Sequence, residues 1–455
     1  MHDLEKYLIF VVPILTEGSH SSFGLPSGED EIWEHSAAWF DRDWFRRLWV
    51  LQEFYLAKSV IFLCGHESIS SEHVVTFANA FRSTQMVVKS RHTDGEPPGL
   101  TFLVRPSKSL LEDPSSPARL FFIPIARDLL CKEPVDHVYG ILGLLPRTFR
   151  DQIRVDYSEK NKRNPAALFT HFGKVILENS LPLNRFVLFW SMTSSHFPGT
   201  PSWLPALISP IDGQAFLSER AGWPRDPTSP YYEATIWTSL STPPPQLSHP
   251  DNIKIRGVIV DIVVSTIQLD WVYLSNGSTV YVTDVPAFIT LESSCAALAR
   301  EVGVSVPSTA YCTTLIANRD LVSGSFYDPD KTVQDYQDSM AYLRQVGISG
   351  VASNFRISQP REYRYVFSLH EKWRGGRSFF ATAHGRIGLG GWNGNLQAGD
   401  RVCILFGAHQ LFILRGTRTP GVYSMVGDSY VDGLMNCEIF DTKGFAEEEC
   451  VFEIC

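Results

Sequence analysis

The segment Trp44-Phe45-Arg46-Arg47-Leu48-Trp49-Val50-Leu51-Gln52-Glu53-Phe54-Tyr55-Leu56-Ala57 limits what the chain can fold into more than any other stretch, because it sets one carboxylate, Glu53, among mostly apolar and aromatic residues. The spacing predicts a helix capped by Asp43 and uninterrupted by proline or glycine as far as Lys58. Trp44, Leu48, Leu51 and Tyr55 share one face of it and Val50 and Phe54 another, so burial is expected nearly all round, with Arg46, Trp49 and Glu53 on the remaining stripe. The run Ser59-Val60-Ile61-Phe62-Leu63-Cys64-Gly65 then reads as a buried parallel strand, giving a helix–strand unit of the α/β kind. A buried carboxylate needs an arginine or several donors around it. Two readings satisfy that need: a structural ion pair with Arg46 or another arginine, and a functional carboxylate with a perturbed pKa.

The rest of the chain fixes the broad class. With 455 residues, 44% hydrophobic and 20% charged, there is enough apolar material for two or three domains. The net charge of −9 and the scatter of lysine and arginine argue against nucleic-acid binding. The eight cysteines form no Cys-x-x-Cys pair, so reduced core thiols and no metal site are expected. The apolar run Tyr7 to Leu15 is too short to span a bilayer and follows Asp3 and Glu5, so it reads as a buried segment, with no membrane span and a cytoplasmic location. Gly-x-Ser-x-Gly, Walker and His-Glu-x-x-His signatures are all missing, and His66, His73 and His137 carry little weight among 13 histidines.

Three ordered motifs carry a family resemblance. Trp44 to Glu53 resembles the signature of the fungal heterokaryon-incompatibility (HET) domain, a tryptophan, a hydrophobic residue, one variable position and Arg-x-Trp-x-x-Gln-Glu. Glu133-Pro134-Val135-Asp136-His137-Val138-Tyr139-Gly140-Ile141-Leu142-Gly143-Leu144 resembles its Asp-Pro-Arg-Asp-Lys-Val-Tyr-Ala-Leu-Leu-Gly-Leu, departing at Glu133, Val135, His137 and Gly140, and Asp156-Tyr157-Ser158 matches the short motif that follows. The family's upstream Tyr-x-Ala-Leu-Ser-Tyr-x-Trp-Gly and Ile-Asp-x-x-Cys-Ile-(Asn/Asp)-Gln elements are not found, so the chain resembles a member lacking the N-terminal half of the HET domain. HET domains in turn resemble TIR domains, whose Trp-Cys-x-x-Glu helix supplies the glutamate for NAD cleavage. Trp49-Val50-Leu51-Gln52-Glu53 has the same spacing. Such cleavage develops an oxocarbenium-like centre that a fixed anion stabilises, which makes Glu53 the catalytic candidate. The motif residues Trp44, Arg46, Arg47, Trp49, Gln52, Asp136, Tyr139, Asp156 and Tyr157 are expected to be structural. No cofactor is implied, and NAD enters only as a substrate.

The expected fold class is mixed α+β: a partial TIR-like α/β region with helices, then a β-rich C-terminal region forming a small antiparallel barrel or sheet. Boundaries are expected at 1–88 for the HET part, 89–117 for a Pro/Gly-rich loop, 118–180 for a helical region and 181–455 for the β-rich part. In the helical region Asp136 is placed as the cap of a helix ended by Pro146, and Ala166 to Glu178 as an amphipathic helix. Further on, Asn276-Gly277 reads as a hairpin turn, and Pro201-Ser202-Trp203-Leu204-Pro205 resembles the family's Pro-Ser-Trp-x-Pro-Asp-Trp. Gly385 to Gly394, Gly399-Asp400-Arg401-Val402 and Gly427 to Met435 resemble elements of the C-terminal region often joined to HET domains, and the glycines read as turns and not as a nucleotide loop. The favoured expectation is a non-catalytic HET-family protein in non-self recognition and programmed cell death, acting through protein partners or self-association. An NAD-cleaving effector using Glu53 is the alternative.

Overall fold

A computed structural model describes residues 30–83, 99, 103, 119–120, 122–127, 129–179, 197–204, 207–208, 245–248, 251–269, 274–275, 280–281, 285–320, 326–349, 362–373, 376–391, 395–406, 408, 410–435, 438 and 449–455. The apolar run Tyr7 to Leu15 and nearly all of the expected 89–117 loop lie outside them.

In the first part, α1 (Ile32–Phe40) leads through a 3-10 turn (Asp43–Arg46) to α2 (Val50–Tyr55), the antiparallel hairpin β1 (Ile61–Cys64) and β2 (Glu67–Ser70), and α3 (Ser71–Ser83). The single helix expected from Asp43 to Lys58 is therefore broken. Arg47 is extended (φ −81°, ψ 127°), and Asp43 lies within the turn and caps no helix. The break has a tertiary cause: the Leu48 N–H donates to the Leu130 carbonyl at 2.9 Å and the Leu130 N–H to that of Arg46 at 2.6 Å, pairing Arg47 with Leu130. A continuous helix would use those groups internally.

The expected buried parallel strand is also overturned. β1 pairs antiparallel with β2, and among the described residues with no other strand; Ile61 is 65% and Leu63 76% exposed. Only its other face is covered, where Phe62 meets Trp39 and Trp44 edge to face.

Short helices follow: α4 (Phe122–Arg127), α5 (Asp136–Tyr139), α6 (Arg147–Arg150), α7 (Glu159–Arg163) and the long α8 (Pro165–Asn179), which matches the expected amphipathic helix. Then come β3 (Gln246–Ser248), β4 (Asn252–Gln268), and the antiparallel pair β5 (Leu274–Ser275) and β6 (Val280–Tyr281); the turn expected at Asn276-Gly277 lies outside the described residues. Helices α9 (Val285–Glu301), α10 (Thr309–Leu315), α11 (Pro329–Ser349) and α12 (Glu362–Trp373) precede strands β7 (Ser378–Thr382), β8 (Ile387–Gly390), β9 (Arg401–Leu405), β10 (Leu411–Gly416), β11 (Val422–Val431) and β12 (Cys450–Ile454). The architecture is mixed α+β with a β-rich C-terminal region.

The C-terminal strands close on themselves. β4 pairs in turn with β12, β9 and β7; β9 continues through β10 to β11, and β11 returns to β4 through β8 and β7 near one end and through β12 near the other. Register shifts at Ile259/Asp261 and Val263/Ser265 let β4 bend around this barrel. Strands β9 and β10 bury both faces, which accounts for their continuous apolar sequence: Cys403, Leu405, Phe412 and Leu414 join the core of the helical part, while Val402, Ile404, Leu411 and Ile413 join a second core with α9 to α12.

Gly385 and Gly391 have the positive φ of turns, whereas Gly388 and Gly390 lie inside β8. A Cβ on Gly388 would come within 2.3 Å of the Phe380 ring and 2.7 Å of the Tyr430 oxygen, so close packing, as well as turning, selects glycine here. The expectation of core thiols holds for Cys295, Cys312 and Cys403; Cys131, Cys450 and Cys455 are half-buried and Cys64 is exposed. Among the described residues no helix is long and apolar enough to cross a membrane.

Candidate functional site

The three N-terminal motifs, separated in sequence, pack into one unit. The Gln52 side chain donates to the Tyr139 carbonyl at 3.2 Å, and a Cβ on Gly143 would come within 2.8 Å of the Gln52 amide oxygen. Leu48 lies against Gly140 in the same way, at 3.0 Å from a Cβ there. Tyr139 then turns to the third motif: its hydroxyl donates to the Asp156 carbonyl at 3.3 Å and accepts from the Asp156 N–H at 3.2 Å and from Asn161 at 3.3 Å. The Tyr139 and Tyr157 rings meet edge to face at 5.2 Å.

Asp136, expected as a helix cap, is buried and accepts the Tyr157 hydroxyl at 2.7 Å. Val135 precedes the helix, and no side chain caps it. Burial, then the hydrogen bond to Asp136 and its charge, push the Tyr157 phenol up, so the tyrosine stays a donor. Burial, with the Asp136 and Glu133 carboxylates, pushes the Cys131 thiol up to about 12. His137 is buried with Nδ1 3.1 Å from the Ala126 carbonyl, and burial lowers its pKa to about 4. These groups are held protonated or neutral, an arrangement suited to fixing chain segments and poor in nucleophiles.

Glu53 stands apart from this cluster. It is exposed, and among the described residues it makes no ion pair or side-chain hydrogen bond. The expected burial is overturned, and so is the expected pairing with Arg46, which bridges to Asp43 at 3.4 Å. The stripe of Arg46, Trp49 and Glu53 is the outer face of a helix–turn segment, with Trp49 38% and Arg47 largely exposed. Trp44 is half-buried, edge to face with Phe45 and Phe62.

Other buried polar clusters join residues scattered along the chain, and of their members only Asp400 falls in an element that the sequence marks. Asp261, at a bulge of β4, accepts His384 Nδ1 at 3.0 Å, Arg386 at 2.9 Å and the Ile262 N–H at 2.9 Å. Burial works to raise its pKa, but these hydrogen bonds and one from Thr382 outweigh it and hold the carboxyl below the ordinary range. Asp400 of Gly399-Asp400 takes a two-point contact from Arg415, both at 2.8 Å. Glu292 accepts from the hydroxyls of Tyr311 and Tyr336 between α9, α10 and α11. Among the described residues no group of three or more His, Cys, Asp or Glu side chains could hold a metal ion.

Comparison with known proteins agrees with the motif reading. Residues 326–449, from α11 through β11, match the family model of the Het-6 beta-barrel domain. The chain is similar to heterokaryon incompatibility protein 6, OR allele, of Neurospora crassa, with 22% identity over 90% of this chain and 66% of that protein, so it spans just under two thirds of the relative's length. No solved structure matches. Residues 326–449 thus match a Het-6 beta-barrel domain, and the chain-long similarity, together with the packed motif cluster, supports the resemblance to fungal heterokaryon-incompatibility (HET) proteins.

Proposed function

We propose that this chain acts in fungal non-self recognition and the programmed cell death that follows, by binding protein partners or further copies of itself in the cytoplasm, without turnover at Glu53. The similarity to a heterokaryon incompatibility protein supports the biological role. The observation that carries the binding reading is the β1–β2 hairpin, whose Ile61 and Leu63 leave an uncovered apolar face beside an unpaired strand edge among the described residues. Uncovered apolar surface of this kind marks interaction sites.

A carboxylate that stabilises an oxocarbenium-like centre has to be fixed by donors in a place that excludes water. The exposure of Glu53 and its lack of partners among the described residues support the non-catalytic reading over NAD cleavage. The test is NAD consumption by the purified chain at high concentration, with Glu53→Gln as the control. No turnover in a folded sample is expected, and turnover abolished by the substitution would replace this proposal with the enzymatic one.

A further inference from the structure

The Pro201-Ser202-Trp203 element lies outside the motif cluster but touches both parts of the molecule. On one side, Ser202 sits at the end of β12: its N–H donates to the Cys455 main-chain oxygen at 2.9 Å, its hydroxyl donates to the same oxygen, and the Met425 N–H of β11 donates to that hydroxyl at 2.9 Å. The Cys455 N–H donates in turn to the Tyr423 carbonyl at 2.9 Å. On the other side, Trp203 is fully buried and donates its indole N–H to the Asp251 carbonyl at 2.6 Å, while the Asp251 carboxylate pairs with Lys174 of α8 at 2.5 Å. A Cβ on Gly173 of α8 would come within 2.3 Å of Leu204 and 3.2 Å of the Trp203 ring.

We infer that Ser202 to Leu204 form a coupler, which makes the order of α8 depend on the seating of β12 and the seating of β12 depend on α8. All of the Ser202 contacts are with main-chain groups of β11, β12 or the residue after β12, so they exist only in one register of those strands. β12 is held to β11 by a parallel ladder of two pairs, Val422 with Glu453 and Tyr423 with Ile454. A slip of one residue along β4 would take the Cys455 oxygen from Ser202 and turn Phe452 and Ile454 out of the core they share with α8. Trp203 follows Ser202 directly, so displacement of the serine loosens the packing on Gly173. The coupling is reciprocal by thermodynamic necessity, and the shared core that holds Val175, Ile176, Trp203 and Phe452 supplies the physical connection.

The experiment is native-state hydrogen exchange on the full chain, with one variant on each side. Ser202→Ala is expected to speed exchange at Met425 and Cys455 and, through the coupler, at least tenfold within residues 165–179. Gly173→Ala, made on α8 alone, is expected to speed exchange at Met425 and Cys455 at least tenfold. Effects confined to the side that carries the substitution would overturn the inference. Should Ser202→Ala fail to fold, Phe452→Leu on β12 gives the same reading: faster exchange within α8 supports the coupler, and unchanged α8 exchange overturns it.

Discussion

The Gln52 side-chain amide reaches the main-chain carbonyl of Tyr139 at 3.2 Å, joining two family motifs 87 residues apart. The same Tyr139 binds the third motif through its hydroxyl, so the most recognisable residues form a clasp between α2, α5 and the segment before α7. Gln52→Ala removes one half-buried hydrogen bond and is expected to cost about 1 kcal/mol in urea unfolding. A neutral result would show that the Leu48 and Gly140 packing holds the motifs together without it.

Tyr157→Phe withdraws the donor that faces the buried Asp136 carboxylate. The expected cost is about 1–3 kcal/mol, the range for a polar group left unsatisfied. An unfolding midpoint equal to that of the wild type would mean that another group satisfies Asp136.

Acid should weaken the fold in two steps of different origin. The folded-state pKa of His137 is lowered to about 4, below its unfolded value near 6.5, so the unfolded chain binds the extra proton. Its contribution is complete above about pH 6.5 and declines as the pH falls towards 4, by at most about 3 kcal/mol. His137→Gln should flatten this interval of the stability profile. The depressed carboxyl of Asp261 acts lower: its contribution is present above the ordinary carboxylate pKa and is lost as the pH falls through the folded value, so Asp261→Asn should alter only the more acidic limb.

Glu53→Gln should leave the urea midpoint unchanged, because no described partner loses a charge. A clear loss of stability would restore the structural ion pair expected from the sequence.

Replacing Ile61 and Leu63 with aspartate places charge on the uncovered hairpin face without touching Phe62. Sedimentation should show that concentration-dependent self-association is reduced while the far-UV circular dichroism is kept. Association that persists unchanged would move the interaction surface elsewhere.

The parts legible in the sequence were those set by local pattern. Motif order located the packed cluster, and alternation with glycine turns located β7 to β10. Around Glu53 the periodicity separates the stripe of Arg46, Trp49 and Glu53 correctly from the apolar faces, but it does not say that this stripe faces outward or that Leu130, 83 positions past Arg47, pairs with Arg47 and breaks the helix. The run Ile61 to Cys64 carries the composition of a buried strand, and composition does not say whether a neighbour covers it. Closure of the barrel was equally hidden, since it depends on β4 changing partners at its bulges.

That division of β4 also sets where the chain can tolerate a change of length. One residue added near Ile255 would rotate Ile253 and Ile255 away from the core and throw the strand out of step with β12. Added between Ile259 and Asp261, it would fall where the ladder already accommodates an irregularity, and the segments on either side could keep their neighbours. Length variation among related barrels is therefore expected to collect at this joint, and the first five residues of the strand to keep a fixed count.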